Sequence, residues 1–158
     1  MEHPKRVGDR SALAVALALH ANGWEVYLPF GENTRADFII DDGRKLARIQ
    51  CKTGRLRKGT ICFKCCSSYA HHSNPASTAR DYLGQIDYFA VYCPETSGVY
   101  LVPIAAAPLR WEGGLRVEPT RNNQRQGIRQ AADYLIAEVP VDAKAELRAS
   151  SGARAPSA

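Results

Sequence analysis

A chain of 158 residues, 45% hydrophobic and 23% charged, suits one globular domain with a sizeable core and is too apolar for a disordered polymer. Five cysteines, an odd number, with a polar N-terminus and no visible signal segment, argue against a disulfide-built secreted scaffold and for reduced thiols in an intracellular, cytoplasmic setting. The formal charge of +5 is concentrated in residues 1–80, which hold 13 Lys and Arg against 7 Asp and Glu, whereas residues 81–158 hold 8 against 9.

The first expected element is a helix from about Arg10 to Ala21. Asp9 would be its N-cap, Asn22-Gly23 its stop, and Leu13, Leu17 and Ala16 or His20 its buried stripe. This apolar segment is too short to cross a membrane, so no membrane partner is expected. Trp24 to Leu28 alternates as a strand, and a loop follows from Pro29 to Arg35. Phe38 to Ile40 and Leu46 to Ile49 are apolar runs joined by Asp41-Asp42-Gly43-Arg44, a hairpin signature.

In the second strand of that hairpin Arg48, Gln50 and Lys52 alternate with Ala47, Ile49 and Cys51, which places the polar set on one face. Gln50 and Lys52 then stand about 7 Å apart along the strand, and the hairpin returns Asp37 towards them. A carboxylate, an amide oxygen and an ammonium so placed can hold a hard divalent cation beside a phosphate. An ordinary solvated strand face has the same spacing, and the spacing alone leaves both readings open.

Gly59 to Cys66 alternates as a third sheet element, followed by a polar stretch with a short helix near its end. Asp87 to Cys93 and Val99 to Ile104 form a second hairpin across Pro94 to Gly98. A last helix is expected from about Gln124 to Glu138. Residues 143–158, rich in Ala, Ser and Arg, read as a disordered tail, which leaves residues 1–142 as a single domain.

No acidic residue occurs between Gly43 and Ala79, while Arg44, Lys45, Arg48, Lys52, Arg55, Arg57, Lys58 and Lys64 fall there. A polyanion is the natural partner of such a stretch, a solvated face its alternative. Tyr69, His71 and His72 sit in the polar segment beyond it, a composition suited to groove contacts. Cys62, Cys65 and Cys66 with these histidines invite a zinc reading, but the residues between Cys62 and Cys65 offer no tight turn, so packed or partly exposed thiols are expected. Asn122, Asn123, Arg125 and Arg129 make a second polar cluster, readable as helix capping or as nucleic-acid contact.

Asp37 with Gln50-Cys51-Lys52 resembles the PD-(D/E)XK nuclease superfamily, in the variant whose second half-motif is Gln-X-Lys. Gly8-Asp9, Pro29-Phe30-Gly31-Glu32-Asn33, Arg35-Ala36-Asp37, Ile49 to Arg55, Tyr82 to Tyr92, Val99 to Pro103 and Asn122-Asn123-Gln124 are similar, in order, to group I intron-associated homing endonucleases, over nearly the whole chain to about residue 136. The resemblance implies an α/β, restriction-endonuclease-like core with a mixed β-sheet flanked by helices. It also implies a sequence-specific, Mg²⁺-dependent DNA endonuclease, with Mn²⁺ or Ca²⁺ as substitutes and no organic cofactor. The metal would be held by Asp37, Gln50 and the main-chain carbonyl of Cys51, with Lys52 assisting. Arg35, Arg48, Arg55, Arg57, Lys58, Lys64, Tyr69, His71, His72, Asn123 and Arg125 would face double-stranded DNA. One motif per chain implies a homo-oligomer, dimer or tetramer, for cutting both strands.

Ala12 departs from the pattern, because the family usually carries a metal-binding Glu shortly after Gly-Asp. Ala12 is therefore the position of an expected catalytic Glu. Its absence implies a diverged copy that has decayed or uses another ligand, or a Glu-to-Ala exchange made to inactivate the protein. The alternatives to an active homing-type enzyme are an inactive DNA-binding protein on the same scaffold and a Holliday-junction-resolvase-like nuclease.

Overall fold

The structure, a computed structural model, describes residues 2–68, 79–107, 111–120, 122, 124 and 126–140. It opens with helix α1, Pro4–Ala21, which begins six residues before the expected start. His3 is the N-cap, its Nδ1 accepting the Lys5 amide at 3.3 Å, and Pro4 occupies the first turn, where its fixed φ and missing N–H cost nothing. Asp9 is thus inside the helix and not its cap. The buried stripe is Ser11, Ala14, Val15, Ala18 and Leu19, whereas Leu13 and Leu17 are 72% and 56% exposed. Both faces of this Ala- and Leu-rich helix are apolar; the one carrying Ala14 and Ala18 lets the backbone approach the sheet closely. Asn22 ends the helix, its side-chain amide donating to the carbonyls of Ala18 and Ile136.

Six strands form the main sheet: β1 (Glu25–Tyr27), β2 (Phe38–Asp41), β3 (Leu46–Thr53), β8 (Tyr88–Cys93), β9 (Gly98–Pro103) and β11 (Leu135–Glu138), in that spatial order. β3 and β8 are parallel and every other pair is antiparallel. The sheet is therefore mixed, as expected. α1 covers one face through Val15, Leu19, Ile40, Ile49 and Tyr92. On the other face Phe89, Val91 and Val102 pack with Ile61, Phe63 and Leu115 of a second, three-stranded sheet. That sheet consists of β4 (Arg55–Arg57), β5 (Thr60–Lys64) and β10 (Glu112–Arg116), in the order β10-β5-β4. β6 (Ser67–Ser68) and β7 (Ala79–Arg80) pair separately. β8 is the common wall of both cores, which is why Phe89 to Cys93 is buried without a polar break.

Two expected elements differ. The third sheet element is half of a hairpin: β4 precedes β5, joined by Lys58-Gly59 with φ of 48° and 73°, the conformation of a tight two-residue turn. The last helix is absent from the described residues; Gly127 has φ 77°, a short 3-10 turn spans Ala131–Asp133, and β11 follows. Leu135 to Glu138 satisfies the open edge of β9, a non-local gain that outweighs the helical preference of Ala and Glu. Of the described residues, α1 is the sole α-helix, and it flanks one face of the mixed sheet. No helix among them is long and apolar enough to cross a membrane.

Gly54 is where the chain leaves the main sheet for the second one. Its amide donates to the Tyr92 carbonyl at 2.7 Å, and an added Cβ would lie 2.6 Å from Ile61 Cγ2 and 2.9 Å from Val91 Cγ1. Gly54→Ala should therefore destabilise the fold by about 1–3 kcal/mol through overpacking. Chemical denaturation measures this, and an unchanged midpoint would show that the two sheets can separate freely at this point.

Candidate active site

The β2–β3 hairpin builds the site. Asp41 and Asp42 close its turn by accepting the amides of Gly43, Arg44 and Lys45 at 2.8 to 2.9 Å, while Gly43 supplies φ 84°. Phe38 then pairs with Ile49, and the Asp37 amide donates to the Ile49 carbonyl at 2.8 Å. Asp37 is thereby brought opposite Gln50. Its Oδ2 accepts the Cys51 amide at 2.7 Å and the Gln50 Nε2 at 2.6 Å. The same Nε2 lies 3.4 Å from the Cys51 carbonyl.

The three groups expected to hold a metal are thus gathered around one point, which the Gln50 amide nitrogen occupies. That nitrogen is a donor set between a carboxylate oxygen and a carbonyl oxygen, the kind of position a cation can take over. Swinging the Gln50 amide off that point, with its oxygen turned towards it, would leave an all-oxygen set around it, the chemistry that hard divalent ions require. Among the described residues no three His, Cys, Asp or Glu side chains gather. The set therefore comprises one carboxylate, one amide and one carbonyl. Burial raises the Asp37 pKa above its ordinary value, opposed by the Cys51 amide, the nearby Lys52 charge and the Gln50 hydrogen bond. A bound cation would relieve that cost of ionisation.

Lys52 shares the face of β3 with Gln50. Its Nζ donates to the Tyr82 hydroxyl at 3.1 Å and lies 3.5 Å from the Cys66 carbonyl and 4.7 Å from the Tyr82 ring centroid. Tyr82 is buried and packs edge-on against Phe89. By sequence Tyr82 suits a structural turn as well as a functional role; the structure makes it the support of the ammonium. A buried aromatic hydroxyl needs a partner, but nothing in the sequence names Lys52 as that partner.

The cations expected near DNA divide into two groups. Arg35 stacks 3.9 Å from the Tyr82 centroid and donates to Ser67, Gln85 and the Asp81 carbonyl. Arg48 pairs with Asp87, whose Oδ2 accepts its amide at 2.7 Å and its Nε at 3.2 Å. That pairing, chiefly its side-chain hydrogen bond, lowers the Asp87 pKa. The chain itself engages both guanidinium groups. Among the described residues Arg55 and Arg57 have only distant, exposed partners, Glu95 at 3.8 Å and Glu112 at 3.5 Å, pairs of a kind worth at most about 1 kcal/mol. With Lys52 and Lys64 they line one open cleft of about 280 Å³. Lys58 is exposed in the β4–β5 turn. Tyr69, His71, His72, Asn123 and Arg125 lie outside the described residues.

A second cleft, of about 440 Å³, is lined by Asp37, Gln50, Tyr82, Arg35 and the loop residues Glu32 to Thr34. Ala12 is not among the described residues lining either cleft. It packs at the margin of the core beneath α1, which contacts the Ala47, Ile49 and Cys51 face of β3 and is pinned there by a 2.6 Å bond between Ser11 Oγ and Thr53 Oγ1. Cys62 lines the basic cleft while Cys65 is in the core, where burial raises its thiol to about 11.

A carboxyl harder to ionise folded than unfolded contributes stability below its ordinary pKa of 3.8 and loses it as pH rises through the raised value. Asp37→Asn keeps a neutral group at every pH. Without divalent cation it should therefore be more stable than the native chain at pH 7, the difference vanishing below pH 3.8. Denaturation at both pH values measures this, and a variant equally destabilised at both would show that ionised Asp37 is favoured by its hydrogen bonds.

A solved bacterial homing endonuclease, I-Ssp6803I, superposes with a TM-score of 0.68 over 96% of both chains at 18% identity, which establishes a shared restriction-endonuclease-like fold. No curated protein matches the sequence. The model of the family described as PD-(D/E)XK endonuclease matches residues 2–137, nearly all of the described chain. The chain belongs to the PD-(D/E)XK endonuclease family.

Proposed function

We propose that this chain is a divalent-metal-dependent endonuclease that cuts double-stranded DNA at a preferred sequence, with Mg²⁺ as its ion and Mn²⁺ or Ca²⁺ able to occupy the same site. The observation that carries this reading is the convergence of the Asp37 carboxylate, the Gln50 amide and the Cys51 carbonyl at one point, beside an ammonium held by Tyr82. Asp37 and the Cys51 carbonyl would hold the ion, and Gln50 would turn its amide oxygen towards it. The ion would polarise a phosphodiester and lower the pKa of a bound water. Lys52 would stabilise charge developing on the phosphate or orient that water. Arg55, Arg57, Lys58 and Lys64 would hold the backbone of the duplex through non-specific phosphate contacts. I-Ssp6803I is a homing endonuclease, and the same class of activity is proposed here. Cleavage of both strands from one site per chain calls for a homo-oligomer with symmetry matched to the target.

A second reading rests on Ala12. Without the family carboxylate on α1 the chain would bind DNA through the same basic cleft and cut it slowly or not at all. Substrates with four-way junctions separate a resolvase-like preference from a duplex one.

Ala12→Glu should raise Mg²⁺-dependent cleavage about tenfold or more, the effect expected of an added group that orders a metal and its water. Single-turnover assays across Mg²⁺ and Mn²⁺ on a duplex panel measure it, and no gain on any substrate would contradict the assignment of position 12. Arg55→Ala and Arg57→Ala should each lower the slope of log binding constant against log salt by about one. Titrations from low to physiological salt read this directly; unchanged slopes would place the DNA elsewhere.

A further inference from the structure

Ala12 leaves the site with a single carboxylate, and the cleft around Asp37 contains another. Glu32 lines it together with Asp37 and Gln50. Its side chain is exposed and has no hydrogen bond or ion pair among the described residues. Arg35, a cation lining the same cleft, donates to Ser67, Gln85 and the Asp81 carbonyl instead. Among the described residues Glu32 is thus a carboxylate without a counter-charge, lining a cleft that also offers a second carboxylate and an amide. The loop that carries it begins at Pro29 and bends at Gly31, where φ is 98°, a conformation that glycine adopts without strain.

We propose that Glu32 is the second acidic group of the metal site in this chain, doing from the loop what position 12 cannot do from α1. This rests on the metal-site reading above and deepens it. Asp37 alone would offset only half the charge of a divalent cation; Glu32 completes the balance. Mg²⁺ gives up its waters reluctantly and is often held by one or two carboxylates, so a second carboxylate can act on the ion directly or through a bound water. A cleft of about 440 Å³ has room for such waters, each taking roughly 30 Å³. Gln50 and the Cys51 carbonyl contribute oxygen but no charge, and Lys52 on the same strand face adds a positive charge that a second acid would offset.

Direct binding of Mn²⁺ to the full chain, followed by electron paramagnetic resonance, tests this without requiring cleavage. The native chain, Glu32→Gln, Asp37→Asn and Glu25→Gln are compared, Glu25 being an exposed carboxylate on β1 outside both clefts. Far-UV circular dichroism confirms that each variant is folded, which Glu32→Gln should be because its exposed side chain has no partner to lose among the described residues. The expected result is a Mn²⁺ affinity about tenfold or more weaker in Glu32→Gln, weaker still in Asp37→Asn and unchanged in Glu25→Gln. Loss in Asp37→Asn with none in Glu32→Gln would overturn the role of Glu32 and leave the site itself standing. Equal losses in Glu32→Gln and Glu25→Gln would also overturn it, by reducing the effect to net charge. No loss in any variant would overturn both the role of Glu32 and the metal site.

Discussion

One carboxylate oxygen organises the centre of this protein. Asp37 Oδ2 accepts the Cys51 amide and the Gln50 side chain together, so a single atom at the entrance to β2 determines how the polar end of β3 is presented. The hairpin register makes this contact, the parallel pairing of β3 with β8 brings Phe89 beneath it, and Tyr82 packs on Phe89 to meet Lys52. Removing the ion pair of Arg48 with Asp87 would loosen the point where β3 and β8 begin to run together. The fold beyond these contacts serves chiefly to hold β3 and β8 in place between two cores, one on each face of the sheet.

The electrostatics of the site follow from this packing. Burial penalises ionised Asp37, and the protein offsets only part of that penalty with two hydrogen bonds and a neighbouring ammonium. A site that keeps a carboxylate short of compensation is better suited to a cation than to solvent alone. Arg35 and Arg48 are tied into the scaffold, whereas Arg55 and Arg57 on β4 have only weak, exposed partners among the described residues. Cations that shape the protein are thereby separated from those left for a polyanion.

Much of this is legible in the amino-acid sequence. The β2–β3 hairpin can be read because Asp-Gly and a period-two alternation coincide, and with it the meeting of Asp37 and Gln50. The second hairpin is equally plain, since β8 and β9 are continuous apolar runs flanking a turn. The buried face of α1 is not, because Leu13 and Leu17 are as apolar as Val15 and Leu19, and only the sheet decides which side it covers. Leu135 to Glu138 reads as helix by composition yet forms a strand, because its stability comes from β9, far earlier in the chain. Arg55 to Arg57 is too short to show a period. The contacts of Tyr82, and the cleft shared by Glu32 and Asp37, join loops to strands across the chain and leave no local pattern.

The Gln50 amide nitrogen is proposed to mark the place of a divalent cation. Crystals of the protein with duplex DNA and Mn²⁺, measured with anomalous scattering, test this most directly. The expected result is an anomalous peak bounded by the Asp37 carboxylate and the Cys51 carbonyl, with the Gln50 amide turned to present its oxygen. Manganese bound elsewhere on the chain, with the bond from Gln50 to Asp37 intact, would contradict it.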